Sequence, residues 1–253
     1  MENIFSLPPS EQAERFRALF EYLDEQYMRL VQYYQMLVHP WANQTLIARF
    51  NKTERARGFE MIRASLLDTC ILAITKLLLD GEDTNPSLLT LVRPFLVGNR
   101  SRRAEFLQIL EHDYSDWHRH ISPQERQNNP EWLIKAMEEQ NEKDAEACRR
   151  EFWERSDAIA ADWPKLAQAA DKIRPVRNQW VAHFEVEYDS SNKKYKPVDL
   201  PSLFTVYRTI EEVVPIITES VSHLAGLFKG LDIGTDQLVQ LAKQDATAFW
   251  EIS

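Results

Sequence analysis

Leu66-Leu67-Asp68-Thr69-Cys70-Ile71-Leu72-Ala73-Ile74-Thr75-Lys76-Leu77-Leu78-Leu79 is the longest apolar run in the chain, and its reading decides the fold. A membrane span needs about 20 apolar residues. This run is shorter and contains Asp68 and Lys76, so it belongs to a soluble core. Continued back to about Glu54 it reads as one helix, apolar on most sides after Ile62, which places it at the centre of a helical bundle. Asp80-Gly81-Glu82-Asp83-Thr84-Asn85-Pro86 stops that helix and starts another, with Asn85 or Thr84 as cap and Pro86 in the first turn. Leu88, Leu89, Leu91, Val92 and Phe95 make the next helix short and buried.

Toward the N-terminus, Ser10 is placed to cap a long amphipathic helix, with Phe16, Leu19, Phe20, Leu23, Tyr27, Leu30, Val31, Tyr34 and Leu37 at three-and-four spacing. The reading ends it near His39-Pro40 and makes residues 40–53 a connection. Toward the C-terminus, Ser101 opens a helix through Phe106, Leu110 and Trp117, and Ser122 to Pro130 is expected to be a loop. A charged helix follows from Pro130 to about Ala169, with Pro164 expected at the first turn of a new helix. The alternation of Phe184, Val186 and Tyr188, a polar turn, and Lys193 to Pro197 suggest a small hairpin. Asp199 is expected to cap the last large helix, kinked at Pro215 and closed at Gly230. A final helix begins at Thr235. The expected fold is all-α: an antiparallel bundle of long helices, with residues 1–53 packing on a continuous bundle of residues 54–253.

Composition narrows the function. Only six glycines in 253 residues argue against a strand-rich fold with its many tight turns. A net charge of -9 argues against coating nucleic acid through the overall field. Local basic groups remain, at Arg93, Arg100, Arg102 and Arg103, and at Lys172, Arg174 and Arg177. For Arg100 to Arg103, solvated helix ends are the better account. Cys70 and Cys148 are far apart and have no metal-type spacing, and Met1 to Pro9 carries no basic leader. A cytoplasmic protein is therefore expected.

Arg177-Asn178-Gln179-Trp180-Val181-Ala182-His183 carries the chemistry. A guanidinium forks onto phosphate oxygens, and an imidazole near neutral pH takes a proton from a ribose hydroxyl or returns one to a leaving oxygen. In an unbroken α-helix the two side chains stand about 9 Å apart along the axis and about 120° apart around it. Either the helix ends near Ala182, or a second chain completes the site. The residues also allow a bland account, with His183 buried on a stripe with Ile173, Val176 and Trp180, and Arg177 a surface ion-pair partner. His112 and Asp116, four apart, look like an exposed helix end more than a metal pair, and His39 and His223 have no evident partners. No phosphate-cradling glycine loop or dinucleotide fingerprint occurs, so neither cofactor nor metal is expected.

This block, with an acid at Glu185, resembles the signature of the HEPN superfamily, and most closely its abortive-infection AbiU-like branch. Residues 66–92, a leucine-rich helix closing on Asp80, a polar loop and a second leucine-rich helix, resemble the family's other block. The likeness covers roughly residues 55–230. The chain departs from the pattern at Gln179, where lysine is common, at Phe184-Glu185 in place of Arg-Asp, and at Pro175. The branch modified on a tyrosine two residues after its histidine has no counterpart, because Glu185 stands there.

The resemblance implies a homodimer in which two Arg–His pairs line one cleft. It implies a metal-independent endoribonuclease with His183 as base and Arg177 stabilising charge, supported by Asn178 and Glu185. Lys172 and Arg174 are candidate RNA contacts. An RNA substrate, an antitoxin protein as further partner, and neither DNA nor membrane complete the expectation. The alternatives are a non-catalytic RNA-, nucleotide- or protein-binding module, and the toxin half of a pair with a nucleotidyltransferase.

Overall fold

A computed structural model describes residues 7–51, 53–79, 87–89, 100–113, 121–182, 186–189, 191, 193–197, 201–227 and 235–251. The helices are α1 (Pro9–Ala42), α2 (Gln44–Phe50), α3 (Ala56–Leu78), α4 (Arg100–Asp113), α5 (Pro123–Asn128), α6 (Glu131–Val176), α7 (Leu203–Leu227) and α8 (Thr235–Glu251). A π-helical turn, Arg177–Ala182, continues α6. Strands β1 (Val186–Asp189) and β2 (Lys194–Pro197) pair antiparallel, Val186 against Pro197 and Asp189 against Lys194. The fold is an all-α bundle carrying this one hairpin among the described residues.

Helix α3 holds the centre as its apolarity requires: Leu67, Cys70, Ile71, Ile74, Leu77 and Leu78 are buried. Phe16, Phe20, Leu23, Tyr27 and Leu30 of α1 enter the same core, as do Ile159, Leu166 and Ile173 of α6 and Ile210, Ile217 and Leu224 of α7. A smaller cluster joins Leu46 of α2, Phe59 of α3 and Trp250 of α8.

The main seam lies between α6 and α7. Buried positions on α6 advance in steps of three and four through Ile159, Asp162, Leu166, Ala169, Ile173 and Val176. Those on α7 do the same through Val206, Ile210, Val213, Ile217, Ser220, Leu224 and Leu227. This spacing keeps two stripes facing each other along long helices. Cross-pairs fix an antiparallel register: Lys172 Nζ meets Glu212 at 2.6 Å, Lys165 Nζ meets Glu219 at 3.6 Å, and Asp162 meets His223 at 3.1 Å.

Several local expectations are corrected. Helix α1 does not end at Pro40 but runs to Ala42, and α2 occupies much of the expected connection. Proline 40 has no N–H for the Met36 carbonyl. The Trp250 indole N–H fills that role, donating to it at 3.0 Å. Pro164 does not open a helix; it sits inside α6 on the exposed side, while Ile159, Asp162 and Leu166 stay buried. Ser122 to Pro130 is not a loop throughout. Ser122 and Glu125 form a reciprocal capping box that starts α5. Ser202, not Asp199, caps α7, its hydroxyl accepting from the Thr205 N–H at 3.1 Å. Asp199 and Gly230 lie outside the described residues, as do most of 80–99 and all of 114–120.

Candidate functional site

Pro175 does not interrupt α6, which continues to Val176 before the winding widens into the π turn. Such turns are rare and concentrate at functional sites. Arg177 keeps α-type backbone angles, φ -58° and ψ -47°, and its N–H bonds to the carbonyls of Ile173 and Arg174. The π turn packs on α3, so the two sequence blocks that carry the family resemblance meet in space. Helical winding reaches Ala182 and the chain is extended from Val186. His183 and Glu185 lie outside the described residues, as do the side chains of Trp180, Val181 and Ala182.

Three cations gather at this end of α6, and the structure sorts them. Lys172 Nζ donates to Glu212 at 2.6 Å, and that hydrogen bond, with the ammonium charge, holds the Glu212 carboxyl below its ordinary range. Arg174 stands 3.9 Å from Asp171, both well exposed. Arg177 is half-buried and faces no carboxylate among the described residues. Its Nη1 donates instead to the Asn178 side-chain carbonyl at 3.0 Å, a neutral partner that holds the guanidinium without cancelling its charge.

Helical angles separate them further. Arg174 and Arg177, three apart, lie about 60° from each other around the axis, whereas Lys172 and Arg177, five apart, lie about 140° apart. Arg174 therefore shares the flank of Arg177, and Lys172 lies on the opposite one. Of the second basic stretch, Arg100 and Arg103 lean over Trp153, their guanidinium carbons 5.0 Å and 5.8 Å from its ring, and Arg103 is paired with Asp157. These are packing contacts. The side chains of Arg102 and His112 are not described, and Asp116 lies outside the described residues.

The two histidines read as partnerless have partners. The Thr247 hydroxyl donates to the Lys243 carbonyl at 2.8 Å, so its single proton is used, and His39 Nε2 at 3.2 Å is the donor to it. His223 Nδ1 meets Oδ2 of buried Asp162 at 3.1 Å, while Lys165 Nζ holds Oδ1 at 2.8 Å. A sequence signal for this pair existed: Asp162 interrupts an apolar seven-residue repeat. Cys70 and Cys148 are buried free thiols, and burial pushes the Cys70 thiol far above its ordinary range. No described helix is long and apolar enough to cross a membrane. Among the described residues no cluster of three metal-ligating side chains occurs.

The longest helix of the bundle thus runs into a π turn that opens on Arg177, six residues before His183 in the sequence. A family model described as AbiU2, of the HEPN class, matches residues 13–249. The chain belongs to that family and is a HEPN module of the AbiU2 type. Neither the curated proteins nor the solved structures yield a match.

Proposed function

We propose that the protein is a metal-independent endoribonuclease, acting as a toxin or antiphage effector and working as a homodimer. The observation that supports this reading is the state of Arg177: it is held by Asn178 and faces no carboxylate among the described residues, while Lys172 and Arg174 have carboxylate neighbours. A guanidinium so held suits charge that grows on phosphoryl oxygens in the transition state.

In the proposed step His183 takes the proton from a ribose 2′-hydroxyl. The 2′-oxygen forms a bond to phosphorus as the bond to the 5′-oxygen breaks, and an imidazolium returns a proton to that leaving oxygen. The products are a 2′,3′-cyclic phosphate and a 5′-hydroxyl, and DNA, lacking the nucleophile, is inert. Two chains about a two-fold axis supply both a base and an acid from one residue type. Glu185 orients the imidazole, and Arg174, on the flank of Arg177, is the nearer candidate for a neighbouring phosphate.

The test is cleavage of single-stranded RNA in excess EDTA by the full-length protein, with analysis of the ends and with His183→Ala as control. Cyclic phosphate ends that vanish in the variant are expected; a strict metal requirement, or full activity in His183→Ala, overturns the mechanism. The net charge of -9 and the neutralised Lys172 favour a second reading, a HEPN module that binds without cutting. Growth arrest on expression that His183→Ala leaves unchanged would point to it.

A further inference from the structure

Two buried N–H donors where α1, α3 and α7 meet have no acceptor among the described residues: Nε of Arg63 and Nε1 of Trp41. Buried donors are nearly always paired, by protein, by water or by an ion. These two belong to one stack. The Arg63 guanidinium carbon lies 3.9 Å from the Trp41 ring centroid, and the Trp41 ring stacks on Tyr207 of α7 at 4.9 Å with 7° between the planes. With those neighbours the indole keeps its edge, and not its faces, for a ligand.

Arg63 is itself only half used. Its Nη1 donates to Glu60 at 2.7 Å, and the Glu60 side chain is 49% exposed where that of Arg63 is 14% exposed. The edge that carries Nε and Nη2 has no partner among the described residues. That edge presents two parallel N–H groups, the pair that grips two oxygens of one anion. Trp41 adds a third donor from another helix. A carboxylate has two oxygens and leaves one donor unserved, whereas a tetrahedral phosphate has oxygens for all three. The surrounding charge agrees: residues 49–63 hold five basic side chains, Arg49, Lys52, Arg55, Arg57 and Arg63, against Glu54 and Glu60, in a chain of net charge -9.

We propose that Arg63 and Trp41 bind a phosphate group, with Glu60, whose carboxylate shares the guanidinium, as its competitor. The site uses no residue of the motif turn, so it stands whether or not the chain cuts RNA. It bears on the motif all the same. A phosphate there ties the end of α1 to α3, and α3 is the helix on which the π turn packs.

The experiment titrates inorganic phosphate into the full chain by calorimetry, at an ionic strength fixed with chloride, and one phosphate per chain is expected. Trp41→Phe keeps the ring and its stack but removes the donor, and should weaken binding roughly tenfold, the effect of losing one hydrogen bond to a charged acceptor. Arg63→Lys keeps the charge without the fork and should weaken it at least as much. Glu60→Gln changes an exposed side chain, removes the competitor and should bind phosphate more tightly. Adenosine 5′-monophosphate in the same titration separates the sources: binding as tight as phosphate or tighter assigns the site to a nucleotide's terminal phosphate, and exclusion assigns it to the free ion. Absence of phosphate binding in both wild type and Glu60→Gln, which leaves water as the acceptor, overturns the proposal, as does equal binding by wild type, Trp41→Phe and Arg63→Lys.

Discussion

Trp250 stands in for the backbone N–H that Pro40 lacks, its indole nitrogen lying 3.0 Å from the Met36 carbonyl that an ordinary residue 40 would have served. One side chain from α8 thus serves the carbonyl left without a donor where α1 continues past a proline, and ties α8 to α1. Replacing it with Trp250→Phe keeps the ring and removes the donor. The stranded carbonyl should cost about 1–3 kcal/mol. Pro40→Ala in that background returns an N–H and should recover part of the loss, which denaturant midpoints of the two single variants and the double variant will show.

Asp162 has both oxygens engaged, and its two partners differ in weight. His223→Ala strands one oxygen of a carboxylate only 7% exposed and should cost about 1–3 kcal/mol. Lys165→Ala removes an exposed, solvent-screened ammonium and should change stability far less than His223→Ala does. Equal losses in the two variants would mean the carboxylate is not sheltered.

A methyl group at Gly226 would lie 1.5 Å from Nη1 of Arg155. That atom is the far end of a flexible side chain, so the guanidinium can swing away at the expense of its contact with Glu151, worth about 0–1 kcal/mol. Against this, alanine in place of glycine within a helix gains about 1 kcal/mol. Gly226→Ala should therefore leave the melting temperature nearly unchanged; a large fall would show that Arg155 cannot leave its place.

Burial, the nearby Glu211 charge and Tyr34 push the Tyr207 hydroxyl up from 10.0 to about 12. The folded state holds this proton more tightly than the unfolded chain. The associated stability is thus present below pH 10 and is lost as pH rises through about 12. Denaturation between pH 9 and pH 12 should show a decline that is shallower in Tyr207→Phe.

Asn178 gives the most direct probe of the motif turn. Asn178→Ala releases the Arg177 guanidinium and should lower RNA cleavage several-fold, as one hydrogen bond contributes about 0.5–1.5 kcal/mol. Asn178→Asp keeps an acceptor but brings a negative charge against the guanidinium, and should be the more damaging of the two. Identical rates in both variants and wild type would remove Asn178 from any positioning role.

The bundle was legible wherever burial repeats along the chain: α1, α3 and α7 follow from their apolar spacing and α8 from Thr235. Proline was the main source of misreading. At Pro40 and Pro164 local backbone chemistry argued for a stop, and tertiary burial outweighed it, once through an indole 210 positions away and once through a solvent-facing ring. The capping box at Ser122 and Glu125 was visible as a serine three residues before a glutamate, and the prolines around it obscured it. At the site, residue types singled out Arg177 as a candidate, but not which cations have carboxylate neighbours. Glu212 lies forty residues from Lys172, and only the seam between two helices brings them together.

Because α6 and α7 both repeat every seven residues, their aliphatic surfaces would mesh almost as well after sliding by one repeat, about 10.5 Å. Such a shift would set the Asp162 carboxylate against Ile216 and leave the His223 imidazole without its acceptor. The polar pairs across the seam, the buried Asp162–His223 contact among them, thus select one alignment among near-equivalent ones, and with it how high along the bundle the arginine of the terminal turn is presented.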